Sequence, residues 1–124
     1  MFLWAIAGVQ MSTRCPCESL LSYAECCQPY HLGALPPTAL ALMRSRYTAY
    51  VLGLVDYIRL TETKSSSREE LIAACKSMQL QGLTILGSSE DSVHFEVKSG
   101  KSNWQELSHF LQREGRWLYI SPSS

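Results

Sequence analysis

Four of the five cysteines fall within thirteen residues, as Cys15-Pro16-Cys17 and, after eight intervening residues, Cys26-Cys27. An odd total and so tight a cluster do not make the disulfide framework of a secreted domain. A disulfide between the neighbours Cys26 and Cys27 is strained, because its geometry wants Cα atoms roughly 4.4–6.8 Å apart. Metal ligation suits the pattern better. Thiolates bind zinc in a tetrahedron at about 2.3 Å each. Pro16 stiffens the first pair, and eight residues suffice for a loop and a turn of helix that bring the second pair back. Each pair is local, so closing the knuckle costs little chain entropy. The spacing predicts that Cys15, Cys17, Cys26 and Cys27 hold one Zn2+. Free thiols and a redox disulfide switch are the alternatives. His31 lies just beyond the cluster and could stand in for a cysteine. A reduced cluster of this kind belongs in the cytoplasm.

The chain has 124 residues, 46% of them apolar, enough for one core without cross-links. Eleven basic and eleven acidic side chains give zero formal net charge and no long run of either sign. Nucleic acid is therefore not expected as the main partner, since phosphate binding needs a concentrated basic surface. Met1 to Gln10 is apolar and lacks Lys and Arg. It is shorter than the about 20 residues that span a bilayer and lacks the basic start of a secretory signal. No membrane association follows. Residues 1–14 read as a tail, with translation able to begin at Met11. A packed strand is the alternative for the first ten.

Gly33, Pro36 and Pro37 mark a linker after the knuckle of residues 15–33. Ala39 to Leu52 reads as the longest helix, with Ala39, Leu42, Met43, Tyr47, Tyr50 and Leu54 on one broad apolar face. Gly53 interrupts it, and Leu54 to Thr61 continues as a short helix. Ser67 and Glu70 form a capping box ahead of a third helix carrying Leu71, Ile72, Cys75 and Met78. From Gly82 the period becomes two. Leu83 to Gly87, the alternating Val93, Phe95 and Val97, Trp104 to Gln112 and Arg116 to Ser121 read as four strands. Helices first and strands afterwards give an α+β domain over residues 36–124, an antiparallel sheet wrapped on about three helices. That segment is apolar enough for its own core, so knuckle and domain are expected to fold separately.

The residues Cys15-Pro16-Cys17, Ser19, Tyr23 and Cys26-Cys27 resemble the SEC-C motif, the zinc knuckle at the C-terminus of the SecA translocation ATPase. The continuation Pro29-Tyr30-His31, Gly33, the run Ala41 to Gly53 and Asp56-Tyr57 resemble the YchJ-like bacterial family. Later matches are Gly82 to Leu86, Glu106, Ser108, Phe110, Gly115-Arg116-Trp117 and Tyr119. The resemblance implies a knuckle joined to a nuclear transport factor 2-like (cystatin-like) domain, a cone of helices on a curved antiparallel sheet. Glu18 and Leu20 replace the glycines usual in the SEC-C loop, so its turn is expected to be built differently. Thr61-Glu62-Thr63-Lys64 replaces a family segment carrying Trp and His. Leu107 and His109 replace arginines flanking the serine of the third strand.

Candidate pocket residues are Arg46, Tyr50, Trp104 and Glu106. Arg46 sits between Leu42 and Tyr50 on the apolar helix face, and a buried guanidinium must be paired and hydrogen-bonded. Its expected partner is Asp56 or Glu106; alternatively it faces a pocket for an acidic ligand. Glu106 shares a sheet face with Trp104, Ser108 and Phe110. Tyr47, Tyr50 and Tyr57 read as core aromatics, His94 and His109 as solvent-facing, and Cys75 as a small core residue. The favoured function is a binding or adaptor protein, the knuckle docking on a protein and the cone offering a small-molecule pocket. SecA's knuckle, associated with chaperone and ribosome contacts, supplies the analogy. A small isomerase or dehydratase is the alternative, but no acid–base pair of Asp with His or Tyr is evident, and no catalytic residue is assigned.

Overall fold

The computed structural model describes residues 13–122, and the expectations for Met1 to Gln10 lie outside them. The knuckle closes through a bridge between Arg14 and Ser22, a 3-10 turn over Tyr23–Glu25 capped by Ser22, and the short helix α1, Gln28–His31. Helix α2 covers Ala39–Leu52, its first turn capped by the Thr38 hydroxyl, which accepts from the Ala41 amide at 3.0 Å. It stops at Gly53 because that residue takes φ 75°, a left-handed conformation that costs glycine nothing. Helix α3 runs over Val55–Leu60. Helix α4, Arg68–Ser77, begins at a complete capping box in which Ser67 and Glu70 satisfy each other's amides.

Strands β1 (Leu80–Ser88), β2 (Ser92–Ser99), β3 (Trp104–Arg113) and β4 (Arg116–Pro122) follow in one antiparallel meander of that order. Strand β1 begins before Gly82, where alternation is not yet readable in the sequence. Register shifts at Leu80/Gly82, Ile85/Gly87 and His109/Phe110 bend the strands. The fold is α+β, an antiparallel sheet packed on helices as the sequence predicts, with the cysteine knuckle at its N-terminal end.

Helix α2 is covered on more than its apolar stripe. Ser45, Arg46 and Thr48 are buried together with Leu42, Met43 and Tyr47. For Ser45 and Thr48 the reason is the knuckle. Arg44 donates to the Cys17 carbonyl at 2.8 Å, His31 Nε2 meets the Ser45 carbonyl at 2.9 Å, and Cys15 Sγ lies 3.5 Å from the Thr48 hydroxyl. Cys15, Cys17 and Cys27 belong to the same apolar cluster as Leu42, Tyr47, Leu83, Val93 and Phe95. Knuckle and domain therefore share one apolar cluster. A second cluster joins Ala49, Val55, Ile58 and Leu71 where α2, α3 and α4 meet. Full burial of Leu42 or Ile58 contributes about 1.5–3 kcal/mol each.

The segment after α3 runs beside β4. Tyr119 donates its amide to the Thr61 carbonyl at 2.8 Å, and Thr63 donates to the Tyr119 carbonyl at 2.9 Å. Glu62 is thereby held next to Tyr119 as a parallel bridge partner. Trp117 ties the linker to the sheet through its indole N–H and the Pro37 carbonyl at 3.3 Å. Among the described residues no helix is long and apolar enough to cross a membrane.

Candidate functional site: a four-cysteine centre and a cavity under the cone

The Sγ atoms of Cys15, Cys17, Cys26 and Cys27 all lie within 4.8 Å of one another. Cys17 and Cys26 are 3.5 Å apart, and Cys26 and Cys27 are 3.9 Å apart. An ion bonded to four thiolates at about 2.3 Å sets its sulfurs roughly 3.8 Å from one another. The donor set fits such an ion with shifts of about an ångström or less at the sulfurs. Its electrostatics point the same way. Contacts from the Cys15 and Cys27 thiols hold Cys17 far below the usual thiol range, and contacts with Cys15 and Cys17 push Cys27 far above it. Burial pushes Cys26 up to about 11. Four thiols this close cannot all ionise alone, and a divalent cation removes the conflict. Ser19 Oγ stands 3.1 Å from Cys26 Sγ, and the Thr48 hydroxyl reaches Cys15. Both can donate to a thiolate and steady it.

Glu18 and Leu20 shape the loop between the pairs with φ of 63° and 77°. The turn thus keeps the left-handed backbone that glycine would favour, contrary to the expectation of a different construction. The strain at Glu18 has an offset, since its carboxylate accepts from the Leu83 amide at 2.7 Å and clamps the knuckle to β1. His31 is not placed as a ligand. Its Nδ1 meets the Tyr23 hydroxyl at 2.7 Å and its Nε2 the Ser45 carbonyl at 2.9 Å, so Nε2 donates, Nδ1 accepts and neither is free. Burial pulls its pKa down, which keeps the ring neutral.

Between α2 and the concave sheet lies a cavity of about 230 Å³. Arg46, Tyr50, Trp104 and Glu106 all line it, and Tyr47, Phe95, Phe110 and Tyr119 complete its aromatic wall. Register explains the grouping: Glu106 faces Phe95 across the β2–β3 pair, Trp104 faces Val97, and Phe110 faces Tyr119 on β4. Arg46 does not use the carboxylates suggested by the sequence. It donates to Glu62 at 3.0 Å, to the Thr61 hydroxyl at 2.8 Å and to the Ile58 carbonyl at 3.0 Å. Its guanidinium also covers the Tyr119 ring at 4.5 Å from the centroid. Both members of the Arg46–Glu62 pair are buried, with side chains 7% and 5% exposed. Asp56 instead pairs with Arg68 at the surface. Glu106 accepts from Ser108 at 2.5 Å and from the Tyr119 hydroxyl at 3.3 Å.

A sequence profile described as "YchJ, middle NTF2-like domain" matches residues 38–122. The chain belongs to the YchJ family. A UPF0225 protein of Deinococcus radiodurans is 41% identical to this YchJ-like chain over 112 residues, covering 86% of it and 85% of the relative. A UPF0225 protein of Cupriavidus pinatubonensis is 41% identical over 125 residues, covering 87% and 86%. The solution structure of a SEC-C motif containing protein from Rhodopseudomonas palustris is similar at TM-score 0.80 and 29% identity, over 90% of this chain and 98% of that one. The crystal structure of a SEC-C motif containing protein from Psychrobacter arcticus shares the fold at TM-score 0.73 and 23% identity, over 93% and 84%.

The remaining candidates of the YchJ-like chain fall as follows. His94 is exposed and meets Gln105 on the neighbouring strand at 3.0 Å, whereas His109 is half-buried. Tyr57 packs edge-on against His31 and bonds the Ser45 hydroxyl at 2.7 Å. Cys75 is half-buried against the second cluster, which raises its pKa. Sequence reasoning missed Glu62, the true partner of Arg46. It sits in Thr61-Glu62-Thr63-Lys64, between the helices read from the sequence, and only the backbone pairing with β4 brings it inward.

Proposed function

We propose that the protein is a zinc-stabilised cytoplasmic binding protein, in which the cone cavity takes a small molecule and the knuckle offers a surface to a protein partner. The four-sulfur geometry supports zinc as the resident ion. Bound there, zinc would lock the knuckle into the core, with Cys15, Cys17, Cys26 and Cys27 filling its tetrahedron. The observation that carries the binding reading is the cavity of about 230 Å³, apolar and aromatic over most of its wall, with Glu106 and Ser108 at one place in it. No histidine, cysteine or second carboxylate lines it among the described residues. Glu106 with Tyr119 is the sole acidic pairing there, which leaves an isomerase or dehydratase as the second reading. Leu20 and Leu21, 71% and 50% exposed on the knuckle, support the adaptor role.

Two measurements test this. Purified protein should carry one zinc per chain with only sulfur in the first shell of its X-ray absorption spectrum. A light atom in that shell would defeat the closed site. A fragment screen followed by amide and indole NMR should shift the Trp104 indole N–H. A screen that leaves Trp104 unmoved would remove the cavity as a binding site.

A further inference from the structure

The charges around the cavity do not cancel. Of the two charged side chains that line it, Arg46 is neutralised by Glu62, whose second oxygen is held by the Ser66 hydroxyl at 2.6 Å. The guanidinium's terminal nitrogens are engaged by Glu62, Thr61 and Ile58, and Tyr119 lies beneath its face. With Glu62 as its counter-charge, Arg46 adds no net positive charge to draw in an anion. Glu106 is different. Its contacts are two neutral hydroxyls, those of Ser108 and Tyr119, and no cation pairs with it among the described residues. The cavity therefore carries one uncompensated negative charge. The cavity that holds that carboxylate is lined by the rings of Phe95, directly opposite Glu106 in register, and of Trp104, Phe110 and Tyr50. A carboxylate in an aromatic-lined cavity is the complement of an organic cation, which gains from both.

From this juxtaposition we infer that the cavity binds a small organic ammonium ion, its charge at Glu106 and its apolar part against Phe95, Trp104 and Phe110. The space, the volume of about eight waters, suits a ligand of one ring or a short chain. This inference rests on the reading of the cavity as a small-molecule site and adds the sign of charge it selects.

Three probes of one shape separate the two statements: benzylammonium, benzyl alcohol and benzoate, each titrated into the zinc-loaded protein while the Trp104 indole N–H is followed by NMR. Benzylammonium should bind about tenfold or more tighter than benzyl alcohol, and benzoate weakest. In Glu106→Gln, which keeps an acceptor for Ser108 and Tyr119, the ammonium preference should fall to within about twofold of benzyl alcohol. Equal binding of the three, or preference for benzoate, overturns the cation inference and leaves a binding cavity. If no probe moves Trp104, both statements fail. Should Glu106→Gln not fold, nuclear Overhauser contacts in the parent protein decide the matter. Contacts from the benzylammonium methylene to the Phe95 and Trp104 rings are expected, and their absence sinks the inference.

Discussion

Replacing Glu62 by glutamine leaves the Arg46 guanidinium without its counter-charge in a site where both side chains are under a tenth exposed. Removing one member of a buried ion pair costs about 3–5 kcal/mol, because the survivor stays desolvated. Several contacts soften the loss. Arg46 keeps the Thr61 hydroxyl and the Ile58 carbonyl, and it keeps the Tyr119 ring, a contact contributing about 0.5–2 kcal/mol. The amide oxygen of the new glutamine can also still accept from Arg46. The lower end, about 3 kcal/mol, is therefore expected. For a domain of this length that corresponds to a fall of about 10–15 °C in melting temperature. Calorimetry of the zinc-loaded protein would read it directly. The double change Arg46→Met with Glu62→Leu removes both charges and should cost less than Glu62→Gln alone. Asp56→Asn, at the exposed pair with Arg68, should leave the melting point unchanged within error. A Glu62→Gln protein melting within about 2 °C of the parent would show that Arg46 does not depend on Glu62.

Cys26→Ser should abolish zinc binding and also lower the melting point and weaken near-ultraviolet dichroism, because the cysteines share the core with Leu42 and Phe95; unchanged tertiary signals would restore a separately folding knuckle. Leu20→Gly should stabilise the protein by about 0.5–1 kcal/mol in denaturant unfolding, since it relieves a left-handed φ of 77° at an exposed side chain; a loss of stability would mean that the leucine side chain packs. Burial raises the pKa of Tyr119 and of Tyr50. A raised folded-state pKa contributes stability that is complete below the unfolded value of about 10 and lost as pH climbs through the folded one. Alkaline titration at the tyrosinate absorbance should therefore show these two ionising only with unfolding, and Tyr119→Phe should flatten the decline of stability above pH about 10; early, reversible ionisation of both would contradict their burial.

What could be read from the sequence was whatever is written in local pattern. The capping box at Ser67 and Glu70, the stop at Gly53, the period of two in Val93, Phe95 and Val97, and the spacing of the four cysteines are all local, and the structure has each where its pattern puts it. The features that escaped depend on contacts between distant segments. Buried Ser45 and Thr48 look like the polar side of a helix until the knuckle lies against them. Glu62 has no partner that local pattern can name until its neighbours pair with Tyr119. The left-handed Glu18 and Leu20 break the preference for glycine, and a carboxylate bond to Leu83, 65 residues away, offsets the strain at the first.

The clamp at Leu83 and the run of residues 61–63 beside β4 bear on how copies of this protein behave in a crowd. A meander of four strands has two open sides, each a row of amides and carbonyls on which another chain can add a strand. On the β1 side, the Glu18 carboxylate occupies the Leu83 amide and sets a negative charge in the path of an incoming backbone. On the β4 side, Thr61 and Thr63 already take both backbone groups of Tyr119. Growth of the sheet from molecule to molecule is obstructed at both ends, so loss of the knuckle would expose a template for aggregation as well as a gap in the core.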